Sequence, residues 1–157
     1  MPMVFELRSG AHLRAGLAPG TVGAELTRIK EEYGELTPEA VLEQAKKHNN
    51  SLHAQFDWDD TVAAGKWRRE QAAELIRVIL IRDDGVEDSR AVRAFVKLEN
   101  VRSEPYRPVV DVLADPEMRA RLLQKAHKEL DAWTRRYANL EEFAGLIETI
   151  KNWWGKE

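Results

Sequence analysis

The spacing of the apolar residues changes in one stretch of the chain, Val78-Ile-Leu-Ile-Arg-Asp-Asp-Gly-Val-Glu-Asp-Ser-Arg-Ala-Val-Arg-Ala-Phe-Val-Lys-Leu98. Residues 78–81 are aliphatic and mostly β-branched, and residues 91–98 are β-branched-rich and alternate, as strands do. Residues 83–85, Asp-Asp-Gly, form a turn signal between them. The stretch therefore predicts a β-hairpin whose loop is longer than the tightest kind.

The residues before this hairpin have helical spacing. A helix is predicted over 21–33, with its first residue, Thr21, as the N-cap and Gly34 where helices commonly end. Thr37 and Pro38 predict the cap and first position of a second helix, which the polar residues 49–51 break. A short strand is compatible with residues 4–7.

The next segment joins these helices to the hairpin. Residues 51–58 are ambiguous but have Leu52 and Phe56 one helical turn apart. Asp59 or Asp60 is predicted to cap a longer helix that ends near Ile76.

Two amphipathic stripes follow the hairpin. Asp115 and Pro116 repeat the cap-plus-proline start, and apolar residues recur every three or four positions up to Tyr137. A second stripe runs over 140–154. Their tight junction predicts an antiparallel helical hairpin.

The predicted fold class is therefore α+β and mostly helical. Residues 1–110 are expected to contain N-terminal helix-turn-helix-like helices and the central β-hairpin, in a winged-helix-like domain. Residues 111–157 are expected to form the C-terminal antiparallel helical hairpin, packed on the same core. A chain of 157 residues is long enough for one such core.

Composition narrows the class of protein. Hydrophobic residues make up 43% and charged residues 32%, which favours a globular domain over a disordered one. There is no Cys, which excludes disulfides, thiolate zinc sites and a cysteine nucleophile. No apolar run has the length of a signal peptide or a membrane span. The expectation is a cytoplasmic protein without membrane contact and without a cofactor.

Enzymatic signatures are weak in this sequence. The four His residues fall in separate predicted elements, and the early glycines do not have the phosphate-loop spacing. Asp57, Asp59 and Asp60, with Glu70, offer oxygen ligands to a hard cation. Helix capping is the simpler alternative for Asp59 or Asp60. We therefore expect no catalytic residues and no metal site.

Nucleic-acid binding has more support. Helices followed by a hairpin resemble a helix-turn-helix unit with a wing, in which one helix reads the major groove and basic groups contact phosphates. Two segments are candidates for the helix that enters the major groove. One presents Ser51, His53 and Gln55, and the other presents Lys66, Arg69 and Arg77. The later helix adds Arg119, Arg121 and Lys125 as candidate phosphate ligands.

The candidate phosphate ligands lie in two windows of opposite net charge. Residues 51–90 contain six Lys or Arg and nine Asp or Glu, a net charge of −3. Residues 116–137 contain six Lys or Arg and three Asp or Glu, a net charge of +3. DNA affinity depends on the neutralisation of phosphates by basic side chains. The negative window therefore favours the interpretation that its Lys and Arg residues form a solvated charged face. A basic patch there would have to be assembled from residues that are distant in sequence.

Protein–protein interaction is the rival function. Aromatic residues concentrate in the C-terminal hairpin, and aromatics are enriched at the centres of protein interfaces. Trp153 and Trp154 are adjacent, so one helix cannot bury both on the same face. At least one of them is a candidate contact for a protein partner or for a homo-oligomer.

Several motifs resemble those of a family of small phage and prophage proteins. That family typically has L-T-P-E-x-V, S-P-L-H, F-E-W-D-D and A-A-x-x-Y-R-x-x-Q-A; here residues 36–41, 51–53, 56–60 and 63–72 correspond to them. This chain lacks the proline before Leu52 and has Trp67 where Tyr is common. The resemblance extends over about residues 21–150, including Val-Arg-Ala-Phe-Val at 92–96 and a closing motif at 128–137.

The resemblance implies a genetic setting and no reaction, since the family has no established activity. We therefore expect a phage- or prophage-derived, non-enzymatic protein that is DNA-associated or regulatory and acts in the host cytoplasm. The alternative is an assembly or interaction factor that binds a host protein or forms part of the virion.

Overall fold

The structure is a computed structural model and describes residues 3–59 and 64–154, without the side chain of Trp154. Its helices and strands follow in the order β1 Met3–Leu7, α1 Pro19–Tyr33, α2 Pro38–Ala45, α3 Ala64–Val78, β2 Ile79–Asp83, β3 Val92–Arg93, β4 Phe95–Val96, β5 Arg107–Pro108, α4 Val109–Ala114, α5 Pro116–Arg136 and α6 Ala144–Trp154. Short 3-10 turns lie at Arg14–Gly16, His53–Gln55 and Glu141–Phe143. The mostly helical α+β class is confirmed.

The central hairpin is present, but it is short and belongs to a larger sheet. Strand β2 lies between β1 and β3, and all its pairings are antiparallel, with Phe5 opposite Ile81 and Leu80 opposite Arg93. Ala94 ends the hairpin: its N–H donates to the Ile79 carbonyl at 3.0 Å, while its own carbonyl accepts from Val109. Strand β4 pairs with β5 instead. The strand predicted over 91–98 is therefore divided between two sheets.

The helix boundaries follow the local signals closely, with one correction. Thr37 accepts from the Ala40 N–H at 3.1 Å, and Asp115 accepts from the Met118 N–H at 2.9 Å, so both predicted N-caps are confirmed. Helix α1 begins earlier than predicted, at Pro19, because proline's fixed φ suits the first helical position. Thr21 consequently lies inside the first turn and does not cap it.

The predicted cap of helix α3 stays a prediction. The described part of this helix starts at Ala64, and residues 60–63, which separate it from Asp59, lie outside the described residues. Asp60, the other predicted cap, is one of them.

The hydrophobic core lies between the first three helices and the sheet. Val22, Leu26 and Ile29 on α1 are fully buried, and all members of the core cluster belong to residues 22–109. Helix α1 approaches β1 very closely: a Cβ added at Gly23 would lie 2.3 Å from Cγ of Phe5. This contact holds the N-terminal strand against the helix.

Helices α5 and α6 form the predicted antiparallel hairpin. Trp133 packs on Phe143 with ring centroids 5.3 Å apart, and His127 meets Trp153 at 6.2 Å. Because the first pair lies near the junction and the second near the far end, α6 runs back along α5. Among the described residues, no helix is long and apolar enough to cross a membrane.

Candidate nucleic-acid interface

A groove with a large excess of positive charge lies between α5 and the strands that follow α3. It consists of two adjoining cavities of about 360 and 260 Å³ that share Asn100 and Lys125. We define the basic groove by its cationic lining residues among those described, which are Arg77, Arg93, Lys97, Arg121, Lys125 and Lys128. Only two carboxylates, Glu99 and Glu129, line it in the same part of the structure.

Five of the six cations lie on helices or strands, and Lys97 follows directly after β4. Helix α5 supplies Arg121, Lys125 and Lys128 at intervals of four and three residues, so they share one face. Arg77 lies in the last turn of α3, and Arg93 lies on the edge strand β3. The groove is therefore assembled from parts of the chain that are distant in sequence.

Two lysines lie close together at the centre of the groove. Lys125 donates from Nζ to the carbonyl oxygen of Lys97 at 2.9 Å. Lys97 donates to the carbonyls of Val101 and Arg102 at 3.2 and 3.3 Å, and its Nζ lies 4.9 Å from the centre of the Tyr106 ring. Burial, and then repulsion from Lys125, lower the pKa of Lys97. The carboxylates of Glu104 and Glu39 oppose this effect without cancelling it.

The other cations differ in how they are paired. Arg121 forms an ion pair with Glu99 at 2.8 Å, and Arg77 pairs with Glu74 at 2.9 Å. Lys125 lies 3.9 Å from Glu129, beyond hydrogen-bond distance. Arg93 and Lys128 have no carboxylate within ion-pair distance among the described residues. The groove thus retains positive charge that its own acidic residues do not neutralise.

The structure brings together some of the predicted phosphate ligands and separates others. Arg77, Arg121 and Lys125 all line the basic groove. Arg119 and Lys66 are exposed elsewhere, and Arg69 is half-buried with its Nε lacking a hydrogen-bond partner. Of the phosphate ligands predicted before the hairpin, Arg77 in the last turn of α3 is the one that joins those of α5 in the groove.

In residues 51–56, the first candidate for a base-contacting helix, the polar side chains of His53 and Gln55 contact the rest of the protein. Gln55 is buried, accepts from the Arg14 N–H at 2.9 Å and donates to the Arg14 carbonyl at 2.8 Å. His53 bonds through Nδ1 to the Ala45 carbonyl at 2.7 Å and stacks on Trp58 with centroids 4.9 Å apart. Ser51 remains exposed. We therefore assign His53 and Gln55 to structural roles and leave them out of the interface.

The acidic segment does not form a metal centre within the described residues. No group of three or more His, Asp or Glu side chains has suitable geometry there. The Asp59 N–H donates to Oδ1 of Asp57 at 3.3 Å, and Arg68 donates to the carbonyl oxygens of both residues. Asp60, which completes the predicted acidic cluster, lies outside the described residues.

Two central residues of the basic groove, Arg93 and Lys97, were not predicted from the sequence. Both lie in the stretch that predicted the hairpin, four positions apart, which would place them on one face of a regular strand. That spacing was the available signal.

Trp153 is 62% exposed, as expected for one of the two adjacent tryptophans, and the side chain of Trp154 lies outside the described part of the chain.

Comparison with known proteins gives no assignment for this site. No family model matches the chain, and no curated protein or solved structure shows significant similarity to it. The resemblance to small phage proteins stays a prediction from the motifs alone.

Proposed function

We propose that the protein associates with DNA and that the basic groove binds the sugar–phosphate backbone. The observation that carries this proposal is the excess of cations in the basic groove, where six cationic side chains and two carboxylates line the described surface. A phosphate in the groove would supply negative charge and accept charge-assisted hydrogen bonds. The function is non-enzymatic, and the phage-derived setting expected from the motifs is part of the same proposal.

The dimensions of the groove are compatible with a backbone contact. Arg121 and Lys128 are seven residues apart on α5. At a rise of 1.5 Å per residue this places them about 10 Å apart along the helix, or roughly three nucleotide steps of 3.4 Å. The cations of α5 thus match a short run of phosphates along one strand.

Salt dependence tests this proposal directly. Binding of fluorescent DNA fragments, both duplex and single-stranded, would be measured at salt concentrations from 50 to 200 mM, a range over which phosphate contacts weaken strongly. Contact with about four phosphates gives a slope of log Kobs against log salt of roughly −3 to −4. The double variant Lys97→Gln/Lys125→Gln should have a shallower slope and weaker binding at low salt.

A matched control separates the groove from net charge. Lys46→Gln/Lys47→Gln removes the same formal charge from the end of α2, whose lysines do not line the groove. This variant should bind DNA almost as the parent does. Equal losses in the two double variants would mean that the groove has no special role, and absence of DNA binding at low salt would exclude the proposal.

The second candidate function is protein binding through the C-terminal hairpin. Its supporting observation is exposed apolar surface: Leu146 is 51% exposed and Trp153 is 62% exposed, whereas Ile147 is buried. Apolar residues grouped in this way mark interaction surfaces. Sedimentation of the parent and of Leu146→Glu would test for a second copy as the partner, since this substitution should shift a self-associating chain toward monomer.

A further inference from the structure

A second pocket lies beside α3, and no residue of α5 belongs to its described lining. Its volume is about 520 Å³, and its walls are the loop from Arg8 to Arg14 and the α3 face that carries Trp67, Gln71 and Glu74. We call it the Trp67 pocket. The Trp67 side chain is 59% exposed, which is unusual for so large an apolar surface beside a cavity.

The walls of the Trp67 pocket are held in place. The Arg8 N–H donates to the Val78 carbonyl at 2.8 Å, and the Arg8 guanidinium pairs with Glu74 at 2.7 Å. At the other end of the loop, Gln55 makes two hydrogen bonds to the backbone of Arg14. A cavity with walls tied at both ends is preorganised, so a ligand would pay little to order it.

The indole of Trp67 is the binding group that the pocket offers. It presents a flat apolar face that is largely exposed beside the cavity. The complementary ligand is a flat ring that can stack on this face, and every nucleobase is such a ring.

The charged residues that line the Trp67 pocket are compatible with a phosphodiester chain beside it. Glu74, the acidic residue between the loop and α3, bonds to both Arg8 and Arg77, and these bonds outweigh its burial and lower its pKa. Its charge is thus shared between two guanidinium groups. Arg14 adds another cation on the loop side, and Glu70 is the remaining carboxylate of the lining.

Arg77 connects the two sites. It lines both the Trp67 pocket and the basic groove. Ten residues of α3 separate it from Trp67, which is about 15 Å along the helix axis. A chain whose phosphates follow the basic groove past Arg77 can therefore present a base to Trp67, provided that the base is not paired within a duplex.

We propose that the nucleic acid bound by this protein is single-stranded and that one of its bases stacks on Trp67. This inference rests on the proposed function, because the basic groove would hold the backbone of the same strand. It adds a base-binding site and a preference for single strands over duplexes.

The test compares probes that differ in base content, sugar or strandedness. The probes are an oligothymidylate of roughly 12 nucleotides, within the range that one small domain covers, an abasic oligomer of equal length, an oligouridylate and a duplex. Thymine and uracil both offer a flat ring that can stack on the indole. The parent should bind oligothymidylate at least about tenfold more tightly than the abasic oligomer, as expected for one stacked base.

Variants of Trp67 separate base binding from backbone binding. Trp67→Ala should remove most of the preference for oligothymidylate while leaving affinity for the abasic oligomer unchanged, and Trp67→Phe should restore part of the preference. Trp153→Ala, another exposed tryptophan outside the Trp67 pocket, is the matched control. Circular dichroism would verify that each variant is folded.

The outcomes distinguish this inference from the proposed function. Equal binding of duplex and single strand, or a preference that survives Trp67→Ala, overturns the base site while leaving the basic groove as a backbone site. No binding of any probe at low salt overturns both. A preference for oligothymidylate or oligouridylate over the abasic oligomer that depends on Trp67 supports the site.

Discussion

The Nζ atom of Lys125 lies 2.9 Å from the carbonyl oxygen of Lys97 and joins α5 to the segment after β4. The bond places one ammonium group beside the backbone of another lysine in the basic groove. Since the same Lys125 lies 3.9 Å from Glu129, its charge is only partly compensated. This contact is consequently both a tether for the C-terminal hairpin and part of the proposed phosphate site.

Single-charge variants on α5 should each change the salt dependence of DNA binding by a similar amount. Lys125→Gln and Lys128→Gln each remove one proposed phosphate contact and should reduce the slope of log Kobs against log salt by about 1. Fluorescence anisotropy over a salt series measures this slope. Lys46→Gln should leave it unchanged, and an equal change in this control would contradict a localised interface.

DNA affinity should depend on pH through Lys97. Burial and the charge of Lys125 lower the pKa of Lys97, so it loses its proton below the value near 10.4 of an ordinary lysine. A bound phosphate favours the charged form, and binding should therefore be coupled to proton uptake as pH rises toward about 10. Affinity should fall over that range.

Lys97→Arg is the variant that checks this pH dependence. Arginine keeps its charge throughout the range, so the decline in affinity between pH 8 and about 10 should become smaller. Anisotropy titrations at constant salt would compare the two proteins. Identical pH profiles would assign the effect to other groups.

In the absence of DNA, Lys97 binds fewer protons in the folded than in the unfolded state, so its contribution to stability rises with pH in this window.

Two glycine substitutions on α1 should have opposite effects on stability. The Cβ of Gly23→Ala would lie 2.3 Å from Cγ of Phe5, whose ring stacks on Phe95. The overpacking cost of about 1–3 kcal/mol should exceed the gain in helix propensity of about 1 kcal/mol. Gly20→Ala meets no atom within 4 Å and should be neutral or stabilising by up to about 1 kcal/mol.

Urea denaturation would measure the free energy of unfolding of both glycine variants. A lower midpoint with an unchanged m-value is expected for Gly23→Ala. Equal midpoints for the two variants would mean that strand β1 shifts away from α1 at little cost.

Local signals were sufficient to predict most of the helices. The Thr37 and Asp115 caps depend on hydrogen bonds three residues along the chain, and the left-handed φ of 77° at Gly34 ends α1 as glycine commonly does. Such signals need no tertiary context, so a single sequence contains them. The start of α1 was predicted two residues late because Thr21 competed with the proline signal at Pro19.

Pairing between distant residues could not be predicted in the same way. Strand β1 pairs with β2, where Glu6 and Arg82 are 76 residues apart, and no local pattern specifies that partner. The basic groove has the same origin, because Arg77, Lys97 and Lys125 come from three separate parts of the chain. The net charge of residues 51–90 was therefore a poor guide to the groove. Arg77 belongs to that negative window in the sequence, but in the fold it lies among the cations of the groove.

The role of Gln55 can be tested by a nearly isosteric change. Gln55→Glu can still accept from the Arg14 N–H, but it cannot donate to the Arg14 carbonyl, which lies 2.8 Å from Nε2 in the parent. Two oxygens would face each other in a buried site, and we expect a loss of roughly 1–3 kcal/mol in the free energy of unfolding. Ser51→Ala, at an exposed neighbouring position, should change stability by less than about 0.5 kcal/mol.

The pH dependence of this loss distinguishes a hydrogen-bond defect from general disruption. Once protonated, the carboxyl group that Gln55→Glu introduces can donate to the Arg14 carbonyl, so folding should raise the pKa of that carboxyl above the ordinary value near 4.3. The penalty is then fully present above the raised pKa and shrinks as pH falls through it. Urea midpoints at pH 7 and at about pH 4 would measure the change. A penalty that is equal at both pH values would mean that the Gln55–Arg14 clamp is not what the substitution removes.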